Sequence, residues 1–143
     1  MTRNFKHAKN LALRNQRIEL KRYSRKVNAY IYTFDFDLDS AKEKCSIKDF
    51  LAADLEWMDF ILVNRKSRER SHNFDIVMGP TADDDTSLVL TAYFSGLYGD
   101  VGSIAAKRQA LQLFEAEKLP HQIYFSTNSA TQCLVRIGEM EVL

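Results

Sequence analysis

The sequence predicts a single α+β domain, and three observations carry this prediction. The chain has 143 residues, 45% of them hydrophobic, which suffices for one core and leaves no room for a second domain. Five glycines and two prolines argue against a disordered or collagen-like chain. Helical spacing of apolar residues near the start gives way to strict alternation over residues 27–38, so both kinds of element are expected.

The first predicted element is a basic helix of about 20 residues that ends before Val27. Lysines and arginines fill one side of it, and apolar residues recur at near-helical spacing on the other. These apolar residues are Phe5, Ala8, Leu11, Ala12 and Ile18. Either Thr2 or Asn4 is suited to cap the helix, because its side-chain oxygen can accept a hydrogen bond from an orphan N–H group.

Residues 27–38 form the clearest predicted strand. Large apolar residues alternate there with smaller or acidic ones, which is the pattern of a half-buried strand. The large residues are Tyr30, Tyr32, Phe34, Phe36 and Leu38. A polar stretch containing Ser40 and Ser46 follows.

Seven further elements are predicted downstream. In chain order they are a helix over 54–64, a strand over 74–78 closed by a turn at Gly79 and Pro80, helices over 87–98 and 103–117, a strand over 121–126, a short helix over 128–134 and a closing strand over 135–143. A basic polar loop over 65–72 separates the first two. Ser103 is the predicted cap of the helix that follows it.

Two loops offer a ligand-binding interpretation that we do not prefer. The acidic run over 83–85, with Thr86, is interpreted as a set of helix caps, because three consecutive carboxylates cannot converge on one cation without a specialised loop. The glycine-containing segment 96–102 lacks a preceding strand and a Lys-Ser/Thr pair, so it is interpreted as an interhelical turn.

The sequence contains no general catalytic or metal-binding motif. Cys45 and Cys133 lack disulfide or zinc-site spacing and are interpreted as buried thiols in a reducing compartment. His7, His72 and His121 are dispersed, so no metal cofactor is expected. No apolar run approaches the roughly 20 residues that span a bilayer. We therefore expect a cytoplasmic protein with no membrane partner.

Charge is distributed unevenly along the chain. Residues 1–28 carry nine lysines and arginines against one glutamate, a net charge of +8, and the other 115 residues carry −7. The basic segment is interpreted either as a helix that lies against the acidic body or offers its polar face to water, or as one that contacts nucleic acid phosphates. The first interpretation is preferred because no known nucleic-acid motif or aromatic stacking platform accompanies the charge.

Five short segments, in order, resemble an uncharacterised bacterial family catalogued as domain of unknown function 3990. They are Ala8-x-x-Leu11-Ala12, the segment 27–30, Trp57-Met58-Asp59-Phe60-Ile61 followed by Asn64-Arg65, the segment 74–84, and the segment 122–127. Together they cover nearly the whole chain. The resemblance implies an ADP-ribosyltransferase-like fold.

The chain departs from the pattern of this family at three residues and at its start. Thr81, Asp83 and His121 replace the usual valine, asparagine and aspartate. The family's Tyr-His-Gly-like motif is absent, and Met1 and Thr2 align with the end of its Gly-Phe-Tyr-x-Thr motif. We therefore expect a domain that lacks the family's N-terminal strands and that is inactive alone.

Gln122 is the residue to which the resemblance assigns a catalytic position. In ADP-ribosyltransferase-like folds, a glutamate or glutamine at the start of a late strand approaches the nicotinamide ribose of NAD. A carboxylate there polarises a ribose hydroxyl, whereas an amide supplies only hydrogen bonds. The alternative interpretation of Gln122 is a polar residue that bonds the backbone at a strand end.

The resemblance implies a function for full-length relatives, namely transfer of ADP-ribose from NAD to a macromolecule, as in the toxin of a toxin–antitoxin pair. One alternative is a non-catalytic interaction module, because strands without neighbours would pair with a second copy or with an antitoxin or other protein partner. The other alternative is a nucleic-acid-binding domain that uses the basic helix.

Overall fold

The computed structural model describes residues 1–67, 71–82, 84–115 and 118–142. Six helices and five strands lie within these residues, one helix more than the sequence predicts. The helices are α1 Phe5–Tyr23, α2 Leu38–Lys44, α3 Leu55–Lys66, α4 Asp84–Phe94, α5 Ile104–Leu113 and α6 Asn128–Thr131. The strands are β1 Ala29–Phe36, β2 Ile47–Asp49, β3 Ile76–Pro80, β4 His121–Phe125 and β5 Leu134–Val142.

The strands form two small sheets. β1 and β5 make an antiparallel ribbon whose register shifts between Thr33 and Phe34. In the second sheet β3 is central, with β2 parallel to it on one side and β4 antiparallel to it on the other. The predicted α+β class is confirmed.

The basic helix α1 forms where the sequence places it. Asn4 is its cap, and the Asn4 side chain accepts a hydrogen bond from the backbone N–H of His7 at 3.1 Å. The helix ends at Ser24, which adopts a left-handed conformation with φ 53°. No residue of α1 is buried, so the helix lies on the surface along its whole length. Within the described residues, every helix is too short or too polar to cross a membrane.

The larger hydrophobic core lies among α3, α4 and α5. Its buried residues are Phe50, Trp57, Met58, Ile61, Leu62, Leu90, Tyr93, Ala106, Ala110 and Phe114. Ser103 caps α5 as predicted, accepting a hydrogen bond from the Ala106 N–H at 3.2 Å. Lys107 Nζ lies 2.6 Å from a carboxylate oxygen of Asp59 and joins α5 to α3.

A smaller core packs α2 and α6 against one face of the second sheet. Its buried residues are Ala41, Cys45, Ile76, Ile123 and Ala130. Asp75, directly before β3, ties these elements together. Its carboxylate accepts hydrogen bonds from the N–H and hydroxyl of Ser46, at 2.9 and 2.8 Å, and from the Thr127 hydroxyl at 2.9 Å. Ser46 directly precedes β2, and Thr127 caps α6. The Asp75 carboxylate therefore holds together the first residues of β2, β3 and α6.

The two cysteines meet at the edge of the smaller core. Their sulfur atoms are 3.9 Å apart, and both cysteines are free thiols. Cys45 is buried as predicted, whereas Cys133 is half-buried. Burial, followed by the hydrogen bond with Cys133, raises the pKa of the Cys45 thiol.

Cys45 is therefore expected to react with iodoacetamide more slowly than Cys133, because the thiolate is the reactive species and the raised pKa keeps Cys45 protonated. The rate at Cys45 should climb as the pH rises toward that pKa. Mass spectrometry of alkylated peptides measures both rates. Cys133→Ser removes the partner thiol and should accelerate alkylation of Cys45. Equal rates at the two sulfurs of the wild-type chain would contradict this expectation.

Two elements were missed by the sequence analysis. α2 spans seven residues and buries only Ala41, so its sequence shows no helical period. Asp37 is its N-cap, and the Asp37 carboxylate accepts hydrogen bonds from the N–H groups of Asp39 and Ser40. β2 spans three residues, Ile47–Asp49, which is too short for an alternating pattern. Both were predicted as one polar stretch.

The bounds of several other elements differ from the prediction: the helix predicted over 103–117 ends at Leu113, and the helix predicted over 128–134 ends at Thr131. Gly79 and Pro80 belong to β3, where they pair with Gln122 and His121, instead of forming the predicted turn. The helix predicted over 87–98 begins earlier, at Asp84, and ends earlier, at Phe94. Gly96, with φ 78°, accounts for the early end.

Some predictions fall outside the described part of the chain. They concern residues 68–70 of the basic loop, residues 116–117 of the predicted helix 103–117, and Leu143 of the closing strand. The capping role predicted for residues 83–85 also concerns side chains that lie outside it.

Candidate functional site

Gln122, the predicted site residue, is the second residue of β4 and is half-buried. Across the sheet it pairs with Gly79 of β3, and on its other side it forms an isolated antiparallel bridge with Thr2. Next to that bridge, the Met1 ammonium group donates to the Ile123 carbonyl oxygen, and the Ile123 N–H donates to the Met1 carbonyl oxygen, both at 2.7 Å. The first residues of the chain thus extend along β4 beside Gln122.

A cleft of about 380 Å³ opens between α3 and the face of the second sheet that carries Gln122. Successive side chains of a strand point to opposite faces, so Gln122 and Tyr124 share this face of β4, while Ile123 points into the smaller core. Trp57, Phe60 and Asn64 of α3 line the opposite wall. The cleft is therefore lined by aromatic rings and by two amides.

His72 completes the aromatic wall. Its ring centroid is 5.1 Å from that of Phe60, with 36° between the ring planes, and 6.0 Å from that of Phe74. The Phe74 N–H donates to His72 Nδ1 at 3.2 Å. In its neutral form the imidazole therefore carries its proton on Nε2.

The two amides of the cleft differ in their hydrogen bonding. Asn64 is engaged at both ends, because its Nδ2 donates to the Phe60 carbonyl at 2.7 Å and its Oδ1 accepts from the Ser71 hydroxyl at 2.8 Å. The Gln122 side chain makes no hydrogen bond to any residue that the structure describes. Gln122 is therefore the amide that is available to a ligand.

The end of β3 and the residues directly after it form the floor of the cleft. The Trp57 indole N–H donates to the Pro80 carbonyl at 3.1 Å, and the Thr81 N–H donates to the Pro120 carbonyl at 2.8 Å. Arg65 donates to the Ala82 carbonyl at 2.7 Å. Thr81 is 6% exposed, and its hydroxyl has no hydrogen-bond partner among the described residues.

We expect Thr81→Val to stabilise the protein by about 1 kcal/mol, because it replaces an unsatisfied buried hydroxyl with a methyl group of similar shape. The midpoint of urea unfolding measures the change. Thr127→Val is the matched control and should destabilise the protein, because the Thr127 hydroxyl bonds both Asp75 and the Ala130 N–H. A Thr81→Val variant that is less stable than the wild-type chain would contradict the expectation.

A second cavity, of about 270 Å³, lies between α1 and β1. His7, Leu11 and Asn15 line it from α1, and Tyr30 and Tyr32 line it from β1. Gln122 borders this cavity as well as the cleft. Gln122 also lines a third cavity, of about 230 Å³, so the predicted site residue stands where three cavities meet.

The glycine-containing segment and the metal-ligand residue types also considered in the sequence do not form a ligand site among the described residues. Residues 96–102 connect α4 to α5 as an interhelical turn, and the Gly102 N–H donates to the Tyr93 hydroxyl at 2.8 Å. Among the described residues, no three His, Cys, Asp or Glu side chains are grouped so as to hold a metal ion.

The cleft residues that sequence analysis missed are aromatic. Trp57 and Phe60 lie in the helix predicted over 54–64, His72 is one of the three dispersed histidines, and Tyr124 lies in the strand predicted over 121–126. They come from α3, from the loop after it and from β4, and only the fold brings them together. No spacing in the sequence signals that arrangement.

Comparison with known proteins gives a match at the level of the family. A family model described as "Protein of unknown function (DUF3990)" matches residues 1–135. No curated protein and no solved structure matches the chain.

Proposed function

The chain belongs to the DUF3990 family of proteins of unknown function, and on that premise we propose that it is an ADP-ribosyltransferase-like domain whose cleft binds the nicotinamide end of NAD. The observation that carries the proposal is the position of Gln122. Its amide faces an aromatic cleft and makes no hydrogen bond to the described residues. This is the residue that the family resemblance aligns with the glutamate or glutamine beside the nicotinamide ribose.

The size and lining of the cleft support one end of NAD as the ligand. A volume of about 380 Å³ is within the usual range for small-molecule sites and suits a nucleoside-sized group. Phe60 and Tyr124 offer ring surface to a planar pyridine ring, whereas Trp57, 2% exposed, is buried in the larger core. The Gln122 amide can donate to one ribose hydroxyl and accept from another.

The chemistry of Gln122 limits what this chain does with NAD. Cleavage of the nicotinamide–ribose bond proceeds through a transition state with positive charge on the ribose, which a carboxylate stabilises and a neutral amide does not. Gln122 also cannot remove a proton from an acceptor at neutral pH. We therefore propose binding as the main property of the isolated chain, and transfer as a slow or absent step.

Calorimetric titration with NAD tests the proposal. We expect micromolar binding by the wild-type chain and a loss of at least about tenfold in affinity for Gln122→Ala, which corresponds to about 1.4 kcal/mol. Gln112→Ala changes an exposed glutamine of α5 that does not line the cleft and is the matched control. Binding should be unchanged in that variant.

Two results would overturn the proposal. One is the absence of heat from the wild-type chain up to millimolar NAD, and the other is equal affinity in the wild-type and Gln122→Ala chains. Gln122→Glu adds a separate test of the chemistry. If the cleft positions the nicotinamide ribose, the new carboxylate should increase release of nicotinamide from bound NAD, detected by chromatography.

A further inference from the structure

The two free thiols form a close pair. The Cys45 and Cys133 sulfur atoms are 3.9 Å apart, although the residues are 88 positions apart in the chain. A disulfide bond is about 2.05 Å long, so the sulfurs must approach by about 2 Å to form one. Cys45 directly follows α2, and Cys133 directly precedes β5. The approach therefore involves no residue inside a helix or a strand.

The two thiols differ in their access to small molecules. Cys133 lines a cavity of about 610 Å³ together with polar side chains, including Asp35, Asp37 and Lys44. Cys45 does not line this cavity, is 9% exposed and belongs to the smaller core. A reagent that enters the cavity therefore meets Cys133 first, and Cys45 lies behind it.

The charges of this cavity favour a reagent that carries ammonium groups. Asp35 and Asp37 contribute two carboxylates, and Lys44 contributes one ammonium group. The Asp37 carboxylate also caps α2, whereas Asp35 is an exposed residue of β1. A cavity with excess negative charge raises the local concentration of small cations.

We propose that Cys133 undergoes thiol–disulfide exchange with low-molecular-weight disulfides that carry ammonium groups, and that Cys45 resolves the product. First, the Cys133 thiolate attacks one sulfur of the reagent, whose S–S bond breaks; a mixed disulfide forms and the other half leaves as a thiolate. Next, Cys45 loses its proton to water and attacks the Cys133 sulfur, which releases the second half as a thiolate. Overall, the two protein thiols are oxidised to a disulfide, and the reagent is reduced to two thiols.

The position of Cys45 supports its role in the second step. Burial raises the pKa of the Cys45 thiol, which keeps this group protonated and slow to react with reagents in solution. The Cys133 sulfur that carries the mixed disulfide is already the neighbour of Cys45. The second step is therefore intramolecular, and the proximity of the two sulfurs accelerates it.

Mass spectrometry of the reduced chain mixed with cystamine follows both steps, because a mixed disulfide adds half of the reagent and the internal disulfide removes only hydrogen. The wild-type chain should pass through a mixed disulfide to the internal disulfide. Cys45→Ala should stop at a mixed disulfide on Cys133. Cys133→Ala should form a mixed disulfide at Cys45 at least about tenfold more slowly than Cys45→Ala forms one at Cys133. The wild-type time course decides the matter even if a variant does not fold.

The charge preference is tested by exchanging the reagent. Dithiodipropionate, which carries carboxylates where cystamine carries ammonium groups, should react with Cys133 at least about threefold more slowly at low ionic strength. Asp35→Asn should reduce this preference, because it removes a charge from the cavity and leaves the cap of α2 intact. Asp100→Asn, at an exposed position between α4 and α5, is the matched control and should leave the preference unchanged.

Four results would overturn the proposal. They are a mixed disulfide that persists in the wild-type chain, attachment to Cys45 before Cys133, reaction only after urea is added, and equal rates with the two reagents. The proposal does not depend on NAD binding, because the smaller core lies on the face of the second sheet opposite Gln122. Gln122→Ala should therefore reduce the affinity for NAD and leave both exchange steps unchanged.

Discussion

Trp57→Ala is expected to lower the free energy of unfolding by about 3–5 kcal/mol, the range for removing a buried tryptophan ring. Trp57 is 2% exposed and packs edge-to-face on Phe114, with ring centroids 5.9 Å apart. Its indole N–H bonds the Pro80 carbonyl. Alanine would leave a cavity in the larger core and an unpaired carbonyl at the end of β3.

Urea unfolding followed by far-ultraviolet circular dichroism measures this effect, since Trp57 is the single tryptophan and its fluorescence is lost in the variant. Trp57→Phe is the matched control. It keeps an aromatic ring in the core and loses the hydrogen bond to Pro80, so it should destabilise the protein by only about 1–2 kcal/mol. A similar loss in both variants would mean that the hydrogen bond, rather than the packing of the ring, dominates.

Trp57 also connects stability to the proposed NAD site. The same side chain fills the larger core and lines the cleft that faces Gln122. Removal of the ring is therefore expected to weaken NAD binding as well as folding. Gln122→Ala should affect binding alone, because the Gln122 amide makes no hydrogen bond to the described residues.

The elements that the sequence predicted correctly are those whose bounds depend on residues close to them in the sequence. α1 and α5 begin after Asn4 and Ser103, whose side chains accept the orphan N–H groups of the first turn. β1 was predicted within a few residues of its bounds from its alternating sequence, but its burial does not follow that alternation, because Tyr32 and Thr33 at the register shift are both exposed. α2 and β2 could not be predicted, because seven and three residues contain too few periods to be distinguished from a polar loop.

The candidate site was predicted only through one residue. Gln122 was selected by resemblance, and the structure places it at a cleft. The aromatic wall around it depends on how α3 crosses the second sheet, which no periodicity encodes. The exposure of Tyr30 and Tyr32 likewise depends on the register shift between Thr33 and Phe34, across which the half-buried positions of β1 change from odd to even residue numbers.

Gly79 shows how a local pattern can be outweighed by a contact between strands. A Gly-Pro pair after an apolar run usually indicates a turn. Here Gly79 continues β3 because it must pass close to Phe50: a Cβ at position 79 would lie 2.9 Å from the Phe50 Cβ and 3.0 Å from its carbonyl oxygen. Phe50 cannot move away easily, since its N–H donates to the Met78 carbonyl at 2.9 Å and its ring belongs to the larger core.

Gly79→Ala is therefore expected to destabilise the protein by about 3 kcal/mol, through both the overlap with Phe50 and a backbone φ of 151° that L-residues rarely adopt. Gly99→Ala separates the two causes. Gly99 also has a positive φ, 106°, but a Cβ there would meet nothing within 4 Å, so the expected loss is about 1 kcal/mol from backbone strain alone. Chemical denaturation of the two variants measures the difference.

That difference also bears on the cleft, because Gly79 pairs with Gln122 across the sheet. If the overlap displaces β3, Gly79→Ala should weaken NAD binding together with stability, whereas Gly99→Ala should leave binding unchanged. Gly138→Ala completes the comparison, since its Cβ would meet the Thr33 side chain at an ordinary 3.6 Å and should be tolerated. Equal losses of stability in Gly79→Ala and Gly99→Ala would show that the backbone conformation, and not the contact with Phe50, requires glycine beside the site.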